Sequence, residues 1–484
     1  MNQNMRSLSI AAFALVGMLA CIKETPQETS PQETPGVTVT LSTTVNLPED
    51  TKALTESGVK TFAKNEQIAV VYKNTSGNTV KVNSVELADK DITNEGRSAQ
   101  FTVTLTDPDR DQAVTYIYPA AMAKDNGDPN LEALASQNGT LATLAQNLDY
   151  AKYTGAWDAG ALPTATLENQ LAILAITLKS SDGASVINNE ISRLTLFAGT
   201  QSYVVTRTPA EGTIYLAIQP TSGANIQLVA QSTTRYYTKS LTGKTYMASN
   251  GYPVAFRMAA LPEGSLPGKF TVASGKQVYF SKGNLQATYG GSAWTWAFAT
   301  HQWDYIGENV ANTSIGSTGT VDLFGWSSSK TNYGISDSVT FGDYSGDFVD
   351  WGNNIGSGWH TLSSTEWTYL FGHNTRGWST VNGNGGYVIR PDDVITAVAS
   401  SYTDIEWATE EANGSVFLPA AGFRSGNTVS SEGEEGYYHS STPSGADYKY
   451  ILFFDVYVLT PADNYLTLDR GMSVRLVFPC MPSL

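Results

Sequence analysis

Gly358-Trp359-His360-Thr361-Leu362-Ser363-Ser364-Thr365-Glu366-Trp367 is the stretch on which the reading of this chain turns. Ser363-Ser364-Thr365-Glu366 has the form of a capping box: Ser363 accepts from the backbone three residues on, and Glu366 reaches back. Trp367, Leu370 and Phe371 then share one helical face, and Gly372 is expected to end the helix. Outward from this helix the signals are for strands, over 416–418, 450–458 and 473–478. Further patches accompany them: Leu418-Pro419-Ala420-Ala421-Gly422-Phe423-Arg424, Tyr438-His439-Ser440-Ser441-Thr442 and Arg470-Gly471-Met472-Ser473-Val474-Arg475-Leu476-Val477. Nine of the ten tryptophans lie between Trp294 and Trp407, and from Gly268 onward there are 21 acidic against 10 basic residues. The stretch 269–484 is therefore a unit of its own, behind a Pro/Gly-dense linker at 261–268.

A length of 484 residues is enough for about three domains with sizeable cores. A formal charge of −16 excludes a nucleic-acid binder, which needs clustered Lys and Arg. With only four His and two Cys, a His/Cys metal cluster is not expected. Residues 1–20 fit a secretion signal, with Arg6 before an apolar run and Met18-Leu19-Ala20-Cys21 as a lipobox. Cys21 is then the acylated (palmitate-bearing) residue of a lipoprotein, and 21–36, rich in Pro, Gln, Glu and Thr, is a disordered tether.

From Val37 the pattern alternates. Strands are expected at 37–42, 68–72, 99–105 and 114–118, with a turn at 106–109, forming one β-sandwich over 37–160. Residues 133–145 read as loop with one helical turn. A second sandwich over 161–260 takes in 194–197, 214–218, 226–230 and 252–256. Leu171 to Leu178 fits a buried strand or a short helix, and the β-rich surroundings favour strand. The fold class is mainly β: two N-terminal sandwiches followed by an α+β domain.

Phe62-Ala63-Lys64-Asn65-Glu66-Gln67-Ile68-Ala69-Val70, Tyr116-Ile117-Tyr118-Pro119-Ala120 and Asn169-Gln170-Leu171-Ala172 resemble the fimbrillin family, lipoprotein precursors of surface pili. The resemblance implies assembly by strand addition, after a protease cuts behind a basic residue and opens a groove for a neighbour's strand. The family has Arg at the cut. Here Lys52 takes that place, and no Arg lies between Arg6 and Arg97.

Lys276-Gln277-Val278-Tyr279-Phe280-Ser281-Lys282-Gly283-Asn284-Leu285-Gln286, Trp296-Ala297-Phe298, His301-Gln302-Trp303-Asp304-Tyr305-Ile306-Gly307 and Asp322-Leu323-Phe324-Gly325-Trp326 join the patches above. Together they resemble the C-type-lectin-like fold of formylglycine-generating enzymes and bacterial major paralogous surface domains. The enzymes of that fold need a nearby pair of thiols, whereas this chain has Cys21, committed to lipid, and Cys480, whose role stays open. No catalytic residue is therefore expected. Trp359, Leu362, Trp367, Phe423 and Val474 read as core, Glu366 as the helix cap, and Arg424 and Arg475 as partners of buried acids or carbonyls. Gly422 and Gly471 serve turns or close backbone approach.

The resemblance places a ligand face between the Gly-Phe-Arg patch and the last strand. Its Tyr, Ser, Gly and Asn content matches the chemistry of antibody loops. The candidates are Tyr437, Tyr438, His439, Tyr448, Asn464 and Tyr465, with Tyr438 also readable as framework. No cofactor is expected; Asp343, Asp347 and Asp350 are weak calcium candidates, since calcium prefers hard oxygen ligands. The expected protein is an outer-membrane, lipid-anchored fimbrial tip or accessory adhesin. Its partners would be other fimbrillin subunits and a host or bacterial surface glycan or protein. A monomeric glycan-binding lipoprotein and an enzyme on the formylglycine-generating fold are the alternatives.

Overall fold

The computed structural model describes residues 36–47, 61–308, 319–328, 333–335 and 344–480. Cys21, Lys52 and Asp343, with the expected signal segment and nearly all of the tether, lie outside the described residues. The architecture is mainly β, and none of the described helices is long and apolar enough to cross a membrane.

The first module rests on one long pairing: Thr38–Asn46 runs antiparallel to Ser98–Thr106 without a break in register. Alternation sends Ala99, Phe101, Val103 and Leu105 inward while the residues between them face out. Residues 92–93 and 165–166 flank this pair, giving a four-stranded sheet. A five-stranded sheet packs against it, in the order 79–83, 69–73, 114–118, 151–155, 168–169. Phe101 and Tyr116 meet between the sheets at 5.3 Å in an edge-on contact. The first sandwich thus runs to Asn169, beyond the expected boundary at 160, because 165–166 and 168–169 each extend one of its sheets.

The second module is built on Ala172–Lys179. This strand is paired on both edges, by Ile214–Ile218 and Asn250–Arg257, and with both faces largely covered its sequence is a nearly continuous apolar run. A five-stranded sheet faces it, ordered 201–206, 193–198, 221–231, 236–246, 259–260. Short helical turns at 131–135 and 141–148 cover the same core with Leu134, Leu141, Leu144 and Leu148. Buried Gln137 fastens them, donating to the Leu134 and Ala217 carbonyls and accepting from the Ala217 amide.

In the C-terminal module, helix Ser364–His373 carries both halves of the capping box and buries Trp367, Leu370 and Phe371. Gly372 lies inside this helix and does not end it; the chain turns extended at Asn374, whose side-chain amide donates to the Arg390 carbonyl and the Asp392 carboxylate. A second capping box, Thr403 with Glu406, starts helix Asp404–Ala412. Small sheets surround the helices. The strand expected over 450–458 stops at Phe454, because the Asp455 carboxylate accepts from the Tyr457 and Val458 amides and folds the chain into a hairpin. The return strand is Leu459–Asp463. At the end of the chain the strand is Leu476–Pro479, shorter at its start than the expected 473–478.

Residues 261–268 are not a free linker. Leu261 and Leu266 are buried in one core with Val229 and Tyr236 of the second module and Phe270 and Trp367 of the third. The Leu261 amide donates to Tyr236 O, and that of Leu266 to Phe280 O. Across the seam the Tyr236 hydroxyl donates to Glu411 at 2.6 Å and Arg193 to Thr409 at 3.1 Å. At Gly268 a Cβ would stand 2.2 Å from the Gly414 carbonyl oxygen, so this approach needs glycine.

Candidate functional site

The expected ligand face divides. Tyr437, Tyr438 and His439 are buried and cannot meet a ligand, which corrects the sequence reading. They lie on strand Gly436–Ser444, which is covered on both sides, so neighbouring residues all point into protein. Tyr438 donates to the Pro419 carbonyl and accepts from Asn284, with its ring stacked on Phe454. His439 Nε2 donates to the Phe324 carbonyl at 2.6 Å, and its ring sits 4.5 Å from Trp351. Burial, followed by the nearby Lys449, holds its imidazole well below the usual histidine range. Tyr437 packs between Phe423 and Phe453, and burial together with Glu435 pushes its hydroxyl up. Tyr448, Asn464 and Tyr465 remain exposed on the neighbouring strand and loop. The most exposed apolar group nearby is the hairpin tip Val456-Tyr457-Val458, where Tyr457 is 91% exposed.

The framework residues have specific partners. Arg424 donates to Gly426 O at 2.8 Å and Arg475 to Gln302 Oε1 at 2.7 Å, so a carbonyl and a side-chain amide receive them. Burial lowers the Arg475 guanidinium to about 10. Gly422 adopts a φ of +67°, and a Cβ there would meet the Ser430 carbonyl oxygen at 2.1 Å. Gly471 exchanges both backbone hydrogen bonds with Arg424 and lies against its side chain. Phe423 is half-buried against Tyr437, and Trp359 stands between Phe298 and Phe478. Asp350 is not available to calcium. One oxygen accepts from the Gly352 amide and the Thr361 hydroxyl, the other from the Thr361 amide, which makes it a structural cap. Asp347 is exposed, and no group of three His, Cys, Asp or Glu able to hold a metal occurs among the described residues. Burial pushes the Cys480 thiol up to about 11, away from the reactive thiolate.

Among the described residues, a concave site lies along the seam between the second and third modules. Its larger part is a cavity of about 830 Å³, within the range of ligand pockets. Trp296 and Phe298 enter it from strand Trp294–Phe298, where Trp294, Trp296 and Phe298 are half-buried while Thr295 and Ala297 face out. Tyr279, Trp359 and Phe478 complete the aromatic wall, and Phe298 meets Trp359 edge-on at 4.8 Å. The opposite wall is the second module's: Thr233 and Thr234 from the turn before strand Tyr236–Tyr246, then Ala259 to Gly264.

A polar cavity of about 340 Å³ shares Thr233, Thr234, Gly264 and Lys282 with the first, so the two form one groove. Its far residues include Arg235, His301, Trp303 and Glu411. Glu411 is occupied on both oxygens, by Tyr236 and by Gln302. Sequence reading missed this groove. The available signal was Trp296-Ala297-Phe298, cited above for its family likeness but not read as the wall of a cavity.

No family model matches the sequence, and no curated protein does. Solved structures with some likeness include a fimbrial assembly protein from Parabacteroides distasonis, 10% identical, covering 50% of this chain and 96% of its own, with a TM-score of 0.29. A candidate cell adhesion protein from Bacteroides fragilis is 10% identical over 55% of this chain and 99% of its own, TM-score 0.27. A candidate adhesin from Bacteroides ovatus is 8% identical over 54% and 96%, TM-score 0.26. Likeness this slight carries no argument about function, which has to come from the groove.

Proposed function

We propose that this chain is a cell-surface adhesin that holds a glycan in the groove between its second and third modules. The observation that carries the reading is one cavity lined by Tyr279, Trp296, Phe298, Trp359 and Phe478 together with Thr233 and Thr234. A sugar ring has one apolar face and a rim of hydroxyls, so it pairs with an aromatic surface bordered by hydrogen-bonding groups. Binding rather than turnover fits the lining: Glu263 is the carboxylate among the described residues of the aromatic cavity, whereas glycoside hydrolysis works with two.

The rest of the proposal concerns placement. Lipid on Cys21 anchors the chain at the outer membrane, and the two sandwiches carry the groove outward as a fimbrial tip or accessory subunit. Cleavage behind Lys52 and uptake of a donor-strand peptide would separate that role from a monomeric capture lipoprotein.

The test is a glycan array followed by calorimetry on the full chain, with Trp296→Ala and Tyr457→Ser. Trp296→Ala should weaken binding about tenfold or more, the equivalent of about 1.4 kcal/mol. Tyr457→Ser, on the exposed hairpin tip, should leave it unchanged. The reverse pattern would move the ligand to the hairpin face and end the groove reading.

A further inference from the structure

We infer that the glycan is anionic, and that Lys282 receives its carboxylate or sulfate; the inference rests on the groove being a glycan site. Among the described residues, two charged ones line the aromatic cavity, Glu263 and Lys282. Glu263 is engaged by Arg235 at 3.4 Å across the second-module wall. Lys282 has no carboxylate within 4.0 Å among the described residues, although it belongs to a chain of net charge −16. Lys282 is the cation lining the aromatic cavity among the described residues, and the carboxylate that lines it too is already held by Arg235.

Its position is also fixed in advance. Lys282 lies in the turn between strands Lys276–Phe280 and Leu285–Tyr289. Its amide donates to Gly264 O at 2.8 Å, and the preceding Ser281 amide donates to Leu476 O at 2.9 Å. The Ser281 hydroxyl closes the turn onto the Gly283 carbonyl, and a Cβ on Gly283 would stand 2.6 Å from the Ala299 carbonyl oxygen. The turn is therefore pinned to both the seam and the last strand, and its lysine lines both cavities where they join.

A sugar ring on the aromatic wall would thus present a ring substituent to the ammonium of Lys282, a residue that is itself half-buried. Carboxylate and sulfate are the substituents that satisfy it with a charge-assisted bond. Asp404 lines the polar cavity but not the aromatic one; it is exposed at the start of its helix and within electrostatic reach of Arg193.

The experiment is calorimetry on the full chain with paired probes: oligogalacturonate, oligomannuronate and heparin oligosaccharides, each against its carboxyl-reduced or desulfated counterpart. The wild type should prefer at least one acidic probe tenfold or more, and the preference should shrink as salt rises. Lys282→Gln should abolish the preference while keeping the affinity for the neutral counterpart, and Lys282→Arg should restore most of it. Equal binding of acidic and neutral probes, or a preference that Lys282→Gln leaves intact, overturns the anionic inference and spares the groove. Absence of binding to any probe, or binding that Trp296→Ala does not weaken, overturns both readings. Near-ultraviolet circular dichroism of each variant confirms that the fold is retained.

Discussion

Acidification below about pH 6.5 should destabilise the C-terminal module through one side chain, His439. Its imidazole is buried beside Trp351, with Nε2 bonded to the Phe324 carbonyl. Burial first, then Lys449, keeps the ring neutral well below the ordinary range, against the pull of that carbonyl. The unfolded chain takes up a proton near pH 6.5 that the folded ring refuses. The unfolded state thus binds more protons, and stability falls as pH falls, by about 1.4 kcal/mol per pH unit while the folded ring stays neutral. Between pH 6.5 and 5 this amounts to about 2 kcal/mol. His439→Gln keeps a donor for Phe324 and removes the titration. Urea unfolding followed by tryptophan fluorescence, for both proteins from pH 8 to 5, isolates the effect from the many carboxylates that titrate in parallel. At neutral pH the variant should be the weaker protein, since glutamine does not fill the space against Trp351. On acidification the gap should close by about 2 kcal/mol. Parallel curves would mean a ring that titrates as in water, and would refute the buried placement.

Removing the helix cap with Glu366→Ala should cost about 1–2 kcal/mol in urea unfolding, and Ser363→Ala should be non-additive with it, since each serves the same box. Burial pushes the Glu366 carboxyl up, but Lys276 and the Ser363 amide and hydroxyl together hold it below its ordinary value. Its contribution should therefore be present above about pH 4.3 and be lost as pH falls through the lower, folded-state pKa. Tyr236→Phe deletes the 2.6 Å bond to Glu411 at the seam and should cost about 1.5–3 kcal/mol, measured by calorimetric unfolding; no loss would mean the two modules are not joined there. Gly422→Ala, at positive φ and against the Ser430 carbonyl, should cost more than the 1–3 kcal/mol or so of backbone strain alone.

What the sequence made legible was period-two alternation and short apolar runs. Ser98–Thr106 alternates because one face is covered, whereas Val114–Tyr118 and Ile214–Ile218 stand at the expected limits as short runs of apolar and aromatic residues buried on both faces. Strand Tyr236–Tyr246 escaped notice since most of its residues face water and its middle is polar. The capping box at Ser363 declared itself through spacing alone. The Tyr437-Tyr438-His439 run looked like loop chemistry, yet a second layer covers it, and no local pattern announces a cover that comes from elsewhere in the chain. The groove was invisible for a related reason. Its walls come from residues 233–234, 259–264, 279–282, 296–298, 355–359 and 478–479, which only the tertiary fold brings together.

The central claim is that ligand is gripped at the seam, and a crystal structure of the full chain with the strongest ligand from the array tests it most directly. The account predicts a sugar ring against Trp296 or Phe298, between that strand and residues 259–264. Ligand found instead beside Tyr448 and Tyr465, or on the Tyr457 hairpin tip, would contradict it.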